Sequence, residues 1–257
     1  IYEIFSLIDE NPVGSASISQ VHKAVLKSGE IVAVKVKRKD ITDTIEKDIK
    51  RIRFLMHKFG KFIKFKNLLG GDKALDMYLS WIYDETNFDS ERNNIKVYRD
   101  FADSVNGKVH GVKDIVVPFV YDELCTYNVL VMEFINCKTI NKRDLNQENM
   151  ELIREGLNSY FKASFYAMFN DMKIVFHGDP HGGNIFIDDY GNIGFLDMGL
   201  IFELSPEDAS MTREFFLGAY TGNYEKLYNM LSVYAKLSYE DSIKFKTNIE
   251  DYVKSIK

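Results

Sequence analysis

Asp179 and Asn184 stand five residues apart in a glycine-rich stretch, His177-Gly178-Asp179-Pro180-His181-Gly182-Gly183-Asn184, set between apolar runs. A carboxylate on such a loop orients or deprotonates a nucleophile, and an amide oxygen a few residues later is a ligand for a hard cation. Asp197 follows in Leu196-Asp197-Met198-Gly199. A carboxylate between a buried strand and a glycine suits the same cation. Either aspartate alone is also an ordinary turn former or cap. The order and spacing of all three argue for a site. Earlier in the chain, Val32-Ala33-Val34-Lys35 ends a β-branched run on a lysine. Burying that ammonium is costly unless it meets an anion, and phosphate oxygens fit the need. A helical carboxylate should hold it, and the charged segment downstream offers Glu85 and Glu91. Six residues apart on a helix, the two point about 120° away from each other, so only one faces the lysine.

These side chains need elements to carry them. Residues 21–26 and 31–36 are β-branched runs around Lys27-Ser28-Gly29-Glu30, which predicts a hairpin. Apolar residues at Ile45, Ile49, Ile52, Leu55, Met56 and Phe59 have helical spacing over 42–59. Further helices are expected over 73–101 and 148–172, and strands over 116–120 and 129–135. Two short strands, 185–187 and 193–196, flank the turn Asp188-Asp189-Tyr190-Gly191-Asn192. Beyond them the chain reads as helical, with Ser205-Pro206-Glu207-Asp208 and the Ser238/Asp241 pair as helix starts. Strands first and helices later predict an α+β, bilobal fold. Its small β-rich lobe with inserted helices would span 1–135, and its mainly helical lobe 136–257.

Composition narrows the class. The 257 residues are 46% apolar and 28% charged, with a net charge of −5, which argues against a nucleic-acid partner. The two cysteines, Cys125 and Cys137, have no CxxC spacing. Structural zinc and a disulfide framework are therefore not expected, and a reducing, cytoplasmic setting is. No run approaches the ~20 apolar residues of a membrane span. The chain begins at Ile1 rather than methionine and reads as the core of something longer. Between Lys47 and Lys66 eight basic residues meet one acid, with Phe54, Phe59, Phe62 and Phe65 interleaved. That pattern suits an anionic lipid surface, and equally a solvated helix whose phenylalanines pack inward.

The Asp179, Asn184, Asp197 spacing matches the catalytic loop and metal-binding triplet of the protein-kinase superfamily. Within it the chain resembles the UbiB family of atypical kinases over nearly its whole length. Pro12-Val13-Gly14-Ser15-Ala16-Ser17-Ile18-Ser19-Gln20-Val21-His22 is similar to that family's alanine-rich loop and following QVH. Small side chains there let backbone N–H groups approach phosphates. Asp84-Glu85-Thr86-Asn87, followed by Glu91 and Asn94, resembles its acidic helix motif, and Val131-Met132-Glu133-Phe134 its adenine hinge. The resemblance implies ATP and Mg2+ as cofactors. It places Gly14, Ser15, Ala16, Ser17, Ile18, Ala33, Lys35, Met132, Glu133 and Phe134 around the nucleotide. It assigns Asn184 and Asp197 to the metal and Asp179, Lys35 and Glu91 to catalysis, with Glu91 rather than Glu85 paired to Lys35.

The chain departs from the family pattern at Gly14 and Ser15 (usually alanines), Asn87 (the aspartate of ExD), Gly182 (usually proline) and Met198 (usually phenylalanine). The family's KxGQ element and the membrane-spanning tail of some members are not found. Only five residues separate Gly199 from Ser205, too few for the long activation segment on which protein kinases dock peptides. The resemblance thus implies a magnesium-dependent kinase or ATPase linked to ubiquinone or other isoprenoid-lipid metabolism. Quinone-pathway proteins would be its partners, and its place peripheral to a membrane, within a parent that is itself membrane-anchored. Three other readings stand beside it. One is a small-molecule phosphotransferase of the aminoglycoside or choline kinase type, and another a nucleotide-binding pseudokinase scaffold. The third is a metal hydrolase using His177, Asp179 and His181, which lacks the further histidine or cysteine that zinc usually takes.

Overall fold

The structure is a computed structural model describing residues 3–16, 18–59, 79, 87–235 and 238–255. Its first part is an antiparallel sheet of β1 (Phe5–Ile8), β2 (Gly14–Ser15), β3 (Ser19–Leu26), β4 (Ile31–Lys37) and β6 (Val129–Glu133). The strand path is β1-β3-β4-β6, with β2 folded onto β3. Gly29, at φ +105°, closes the β3–β4 hairpin in a conformation other residues resist. Along β4 the pleat sends Val32 and Val34 to one face, where they pack with Phe5, Ala24, Leu26 and Val131. Ala33 and Lys35 take the opposite face, and Ala33 joins the main core there.

Helix α1 (Ile41–Phe59) follows β4, and α2 (Phe88–Val105) leads toward β5 (Ile115–Val116). The α2 face bearing Phe88, Glu91, Ile95, Tyr98, Phe101, Ala102 and Val105 is buried, at the three- and four-residue spacing of one helical stripe. Of the expected helix over 73–101, the described residues are Leu79, which is helical, and those from Asn87 on, where α2 begins at Phe88; Glu85 lies outside them.

The later part is mainly helical: α3 (Gln147–Phe169), α4 (Pro206–Thr221), α5 (Tyr224–Ala235) and α6 (Tyr239–Ser255). Set among these are β7 (Ile174–His177), paired antiparallel with β10 (Ile201–Leu204), and the hairpin β8 (Ile185–Ile187)/β9 (Ile193–Phe195), which β5 joins in parallel. Ser205 caps α4 by accepting a hydrogen bond from the Asp208 N–H, and Ser238 does the same for Asp241. One core runs from Ala33 and Met132 of the sheet through α2 to α3 and β7–β9. At its centre the Tyr98 and Tyr160 rings meet Phe195 edge-on, 5.6 and 5.5 Å between centroids.

Three expectations need correction. The strand expected over 116–120 is only Ile115–Val116, because Pro118 has no N–H for a ladder; Val120 makes a lone bridge to Met132. The region after β9 is not all helix, since β10 precedes α4. The sheet also gains β1, an edge strand the sequence reading did not anticipate.

Candidate active site

Lys35 lies near the end of β4, on the face turned toward α2. Its register opposite Val21 on one side and Leu130 on the other holds it in mid-sheet. Asn87 caps α2 through its side-chain oxygen, which accepts from the Asp89 N–H at 3.0 Å. The aspartate expected at this position is therefore replaced by a residue equally suited to capping. Glu91 follows in the first turn. The Lys35 ammonium donates to both of its carboxylate oxygens, at 2.7 and 2.8 Å, and to Asp197 Oδ2 at 3.1 Å. Lys35 and Glu91 are only 6% and 3% exposed, so this pair sits away from water. Burial alone would pull the Lys35 pKa down, but the Glu91 and Asp197 charges reverse that and hold it above the ordinary lysine value. Burial pushes the Glu91 carboxyl up, against the pull of the Lys35 ammonium. For Asp197 burial would also act upward, yet Lys35 and the Gly199 N–H keep it below the usual carboxylate range.

One turn beyond Glu91, Asn94 donates to the carbonyls of Met198 and Gly199, at 2.8 and 3.3 Å. A single helix face thus fixes both the lysine and the loop after β9. Asp197 turns one oxygen to Lys35 and the other to the Gly199 N–H, 2.9 Å away. Its side chain stays 43% exposed, so it still faces solvent. Met198, in place of the expected phenylalanine, is fully buried in the main core.

His177, at the end of β7, joins the two loops. Its Nδ1 accepts the Asp179 N–H at 3.1 Å. That leaves the proton on Nε2, which donates to the Asp197 carbonyl. The ring stacks on Phe195 at 4.5 Å and 14°, and burial lowers its pKa from 6.5, favouring this neutral form. With both ring nitrogens engaged, His177 has none left for a metal, which removes the basis of the hydrolase reading.

Asn184 donates through Nδ2 to the Asp179 carbonyl at 3.3 Å, and its own carbonyl accepts the Leu196 N–H at 2.9 Å. Its amide oxygen is the atom a hard cation would take. Asp179 is itself 61% exposed, with His181 Nε2 3.6 Å from its carboxylate. Gly182 leaves room for the Asn141 side chain, whose Oδ1 lies 2.4 Å from where a Cβ would stand.

A cleft of about 250 Å³ opens beside the sheet, bordered by Gly14, Val21, Ala33, Met132, Phe134, Gly183 and Leu196 among others; Lys35, Glu91 and Asp197 are not among its lining residues. Of the residues expected around a nucleotide, Gly14, Ala33, Met132, Glu133 and Phe134 border it. Ser15, Ala16 and Ile18 instead form the β2–β3 turn, tied down by Arg38, which donates to Ser15 Oγ and to the Ala16 carbonyl at 2.8 and 3.0 Å. The Ser15 bond is one that alanine could not make. Ser17 lies outside the described residues. The hinge is partly spent on the fold: the Glu133 N–H goes to the Phe119 carbonyl and the Phe134 N–H to Ile31. Met132 and Phe134 therefore offer the cleft apolar surface rather than these donors. Cys137, Thr139 and Lys142 also line it. The sequence reading missed them, and only their position just after the hinge could have pointed to them. Burial pushes the Cys137 thiol up to about 11, so it is protonated at neutral pH.

The model of the ABC1 atypical kinase-like domain matches residues 1–231. The chain belongs to this family. Probable protein kinase UbiB of Aeromonas hydrophila is 33% identical over 239 residues, a match covering 88% of this chain and 41% of that one. An uncharacterised protein encoded in the hydrogenase 1 5′ region of Clostridium pasteurianum is 34% identical, over 78% of this chain and 36% of the relative. The chain thus spans less than half the length of these two relatives. Among solved structures, the complex of Rv3197 with erythromycin from Mycobacterium tuberculosis aligns with a TM-score of 0.61 at 26% identity, covering 78% of this chain and 47% of the other. The α+β arrangement is accordingly that of a kinase-like fold. Among the described residues, no helix is long and apolar enough to cross a membrane.

Proposed function

We propose that the chain binds ATP with magnesium in the cleft and catalyses γ-phosphoryl transfer, to water or to a hydroxyl of a small or lipid-like acceptor. The observation that carries this reading is the Lys35–Glu91–Asp197 cluster: a buried ammonium held by one carboxylate and touching a second that still faces solvent. Lys35 in that position pairs with the α and β phosphates. Asn184 and Asp197 supply the hard oxygen donors that magnesium takes alongside phosphate oxygens. When bound, the cation neutralises charge on the β and γ phosphates. Asp179, exposed on its loop, orients the acceptor hydroxyl and takes its proton. A new O–P bond forms at the γ phosphorus, the bridge to the β phosphate breaks, and ADP leaves.

The acceptor is proposed to be non-peptidic, because the five residues between Gly199 and Ser205 are largely taken up by β10, paired with β7. The kinship with UbiB favours an isoprenoid-lipid or quinone pathway as its source. A small-molecule acceptor is a second reading, supported by the erythromycin complex of the structural neighbour. ATP turnover of the wild type beside Asp197→Asn tests the proposal. Loss of at least about a hundredfold is expected, whereas equal turnover would identify a scaffold. Repeating the assay with isoprenoid-phenol analogues and with erythromycin separates the acceptor classes by which one stimulates turnover.

A further inference from the structure

We infer that a polar hollow beside the cleft binds a small zwitterion of the amino-acid type, with Arg143 as the anchor for its carboxylate. The hollow, of about 450 Å³, lies between the connection from β6 to α3 and the β8–β9 turn. Arg143 lines it, yet its side chain is only 9% exposed. Nη1 donates to Asn149 Oδ1 at 3.0 Å, and Nη2 donates to the Ile187 carbonyl. These bonds tie the guanidinium to the start of α3 and the end of β8, so its plane is set before anything binds. Nε is buried and has no hydrogen-bond partner. A charged donor left unpaired in the interior is unfavourable and calls for an acceptor. Nε and Nη2 form the edge of the guanidinium whose N–H bonds run side by side, the edge that takes a carboxylate through both oxygens. Asp189 is a partial occupant of that edge. Its Oδ1 lies 3.3 Å from Nη2, it leaves Nε unpaired, and its side chain is 93% exposed. So long and solvated a contact is worth little, and a ligand carboxylate engaging both donors displaces it.

Charge selects the rest of the ligand. Two bases, Lys138 and Arg143, line the hollow with three acids, Asp144, Asp188 and Asp189. Asp188 is already satisfied by the N–H groups of Tyr190 and Asn192 and by the Asn192 amide. Among the described residues, the side chains of Lys138 and Asp144 make no ion pair, which leaves one cation and one anion free. With acids in the majority, a dianion such as a phosphate ester is repelled. A molecule with one carboxylate and one ammonium satisfies Arg143 and Lys138 with the first and Asp144 with the second. Cys137 lines both this hollow and the cleft, so the two share a wall. None of Lys35, Glu91, Asp179, Asn184 and Asp197 borders the hollow, which makes it separate from the site of phosphoryl transfer.

The test is thermal melting of the whole chain, without nucleotide, with each standard L-amino acid alone, followed by calorimetric titration of those that raise Tm. A rise of about 2 °C or more at about 10 mM is expected for at least one of them, and none for acetate or methylammonium, which carry one charge each. Asp189→Asn removes the internal competitor and should tighten Kd about fivefold, whereas Lys138→Gln and Asp144→Asn should each weaken it about fivefold. All three positions are exposed, and melting without ligand checks that each variant folds as the wild type does. The inference is overturned if no amino acid raises Tm, or if Kd does not fall in Asp189→Asn. Acetate or methylammonium acting as strongly as the zwitterion would overturn it too, by showing a site for one charge alone.

Discussion

Taking away the Lys35 ammonium strands two carboxylates of unequal need. Glu91 is 4% exposed at its side chain and has no route to water, whereas Asp197 at 43% can be rehydrated. Lys35→Met is therefore expected to cost about 3–5 kcal/mol, as removal of one partner of a buried pair does. Adding Glu91→Leu to Lys35→Met should recover part of that loss. Denaturant unfolding of the two singles and the double gives the coupling, and strict additivity would contradict the buried-pair account. His177 gives a pH signature. Its folded pKa lies below the 6.5 of the unfolded chain, so the neutral ring's contribution is whole above about 6.5. It is lost as pH falls from there through the lower folded value. His177→Gln retains an amide donor toward the Asp197 carbonyl and does not titrate. Its melting temperature should fall less steeply than the wild type's between pH 7.5 and 5.5. At this scale the sequence was legible where chemistry is carried by charge. Lys35, Asp179, Asn184 and Asp197 could be singled out, but spacing alone left Glu85 and Glu91 undecided. His177's role was not legible as a link, because it bonds backbone groups two and twenty residues away that no side-chain pattern reveals.

The short strand β9 has the least freedom of the elements that build the site. Gly194 sits between Phe186 of β8 and Val116 of β5, and a Cβ there would stand 2.2 Å from the Phe186 ring and 2.6 Å from the Val116 carbonyl. Phe186 is wholly buried and cannot swing out, and the carbonyl belongs to the parallel ladder. Gly194→Ala should thus destabilise by about 2–3 kcal/mol in urea unfolding. It should also weaken activity out of proportion, because β9 leads directly into Asp197 and supports the Phe195–His177 stack. A cost below about 0.5 kcal/mol would mean that the strands separate easily. Elements with long periodic patterns, such as α1, α3 and the β3–β4 hairpin, could be read from the sequence within a few residues. β10 could not, since Ile201-Phe202-Glu203-Leu204 is brief and half-exposed and is a strand only because β7 lies beside it. Pro118 cut β5 short for a reason visible in the chain, and a stricter reading of that proline would have found it.

On the scale of the whole molecule, the main core joins Ala33 and Met132 of the sheet to α2, α3 and β7–β9, crossing the lobe boundary expected near Ile135. Lys35, Glu91 and Asp197 are drawn from three separate stretches of the chain and meet only because that core is complete. A ligand bound by this cluster has affinity for the folded state alone, so its binding free energy adds directly to stability. At a hundredfold excess over Kd, ADP with magnesium should stabilise by about 2.7 kcal/mol. For a chain of this size that is a rise of about 5–10 °C in Tm. The cation and the nucleotide make separable contributions if Asp197 and Asn184 hold the metal while Lys35 and the cleft hold the nucleotide. Asp197→Asn should then melt near the wild-type temperature without ligand, shift modestly with ADP, and gain little when magnesium is added. Lys35→Met should lose the nucleotide shift itself. If Asp197→Asn instead retained the full magnesium-dependent rise, the cation would have to be held elsewhere, and the shared site built from the sheet, α2 and the loop after β9 would not be its seat.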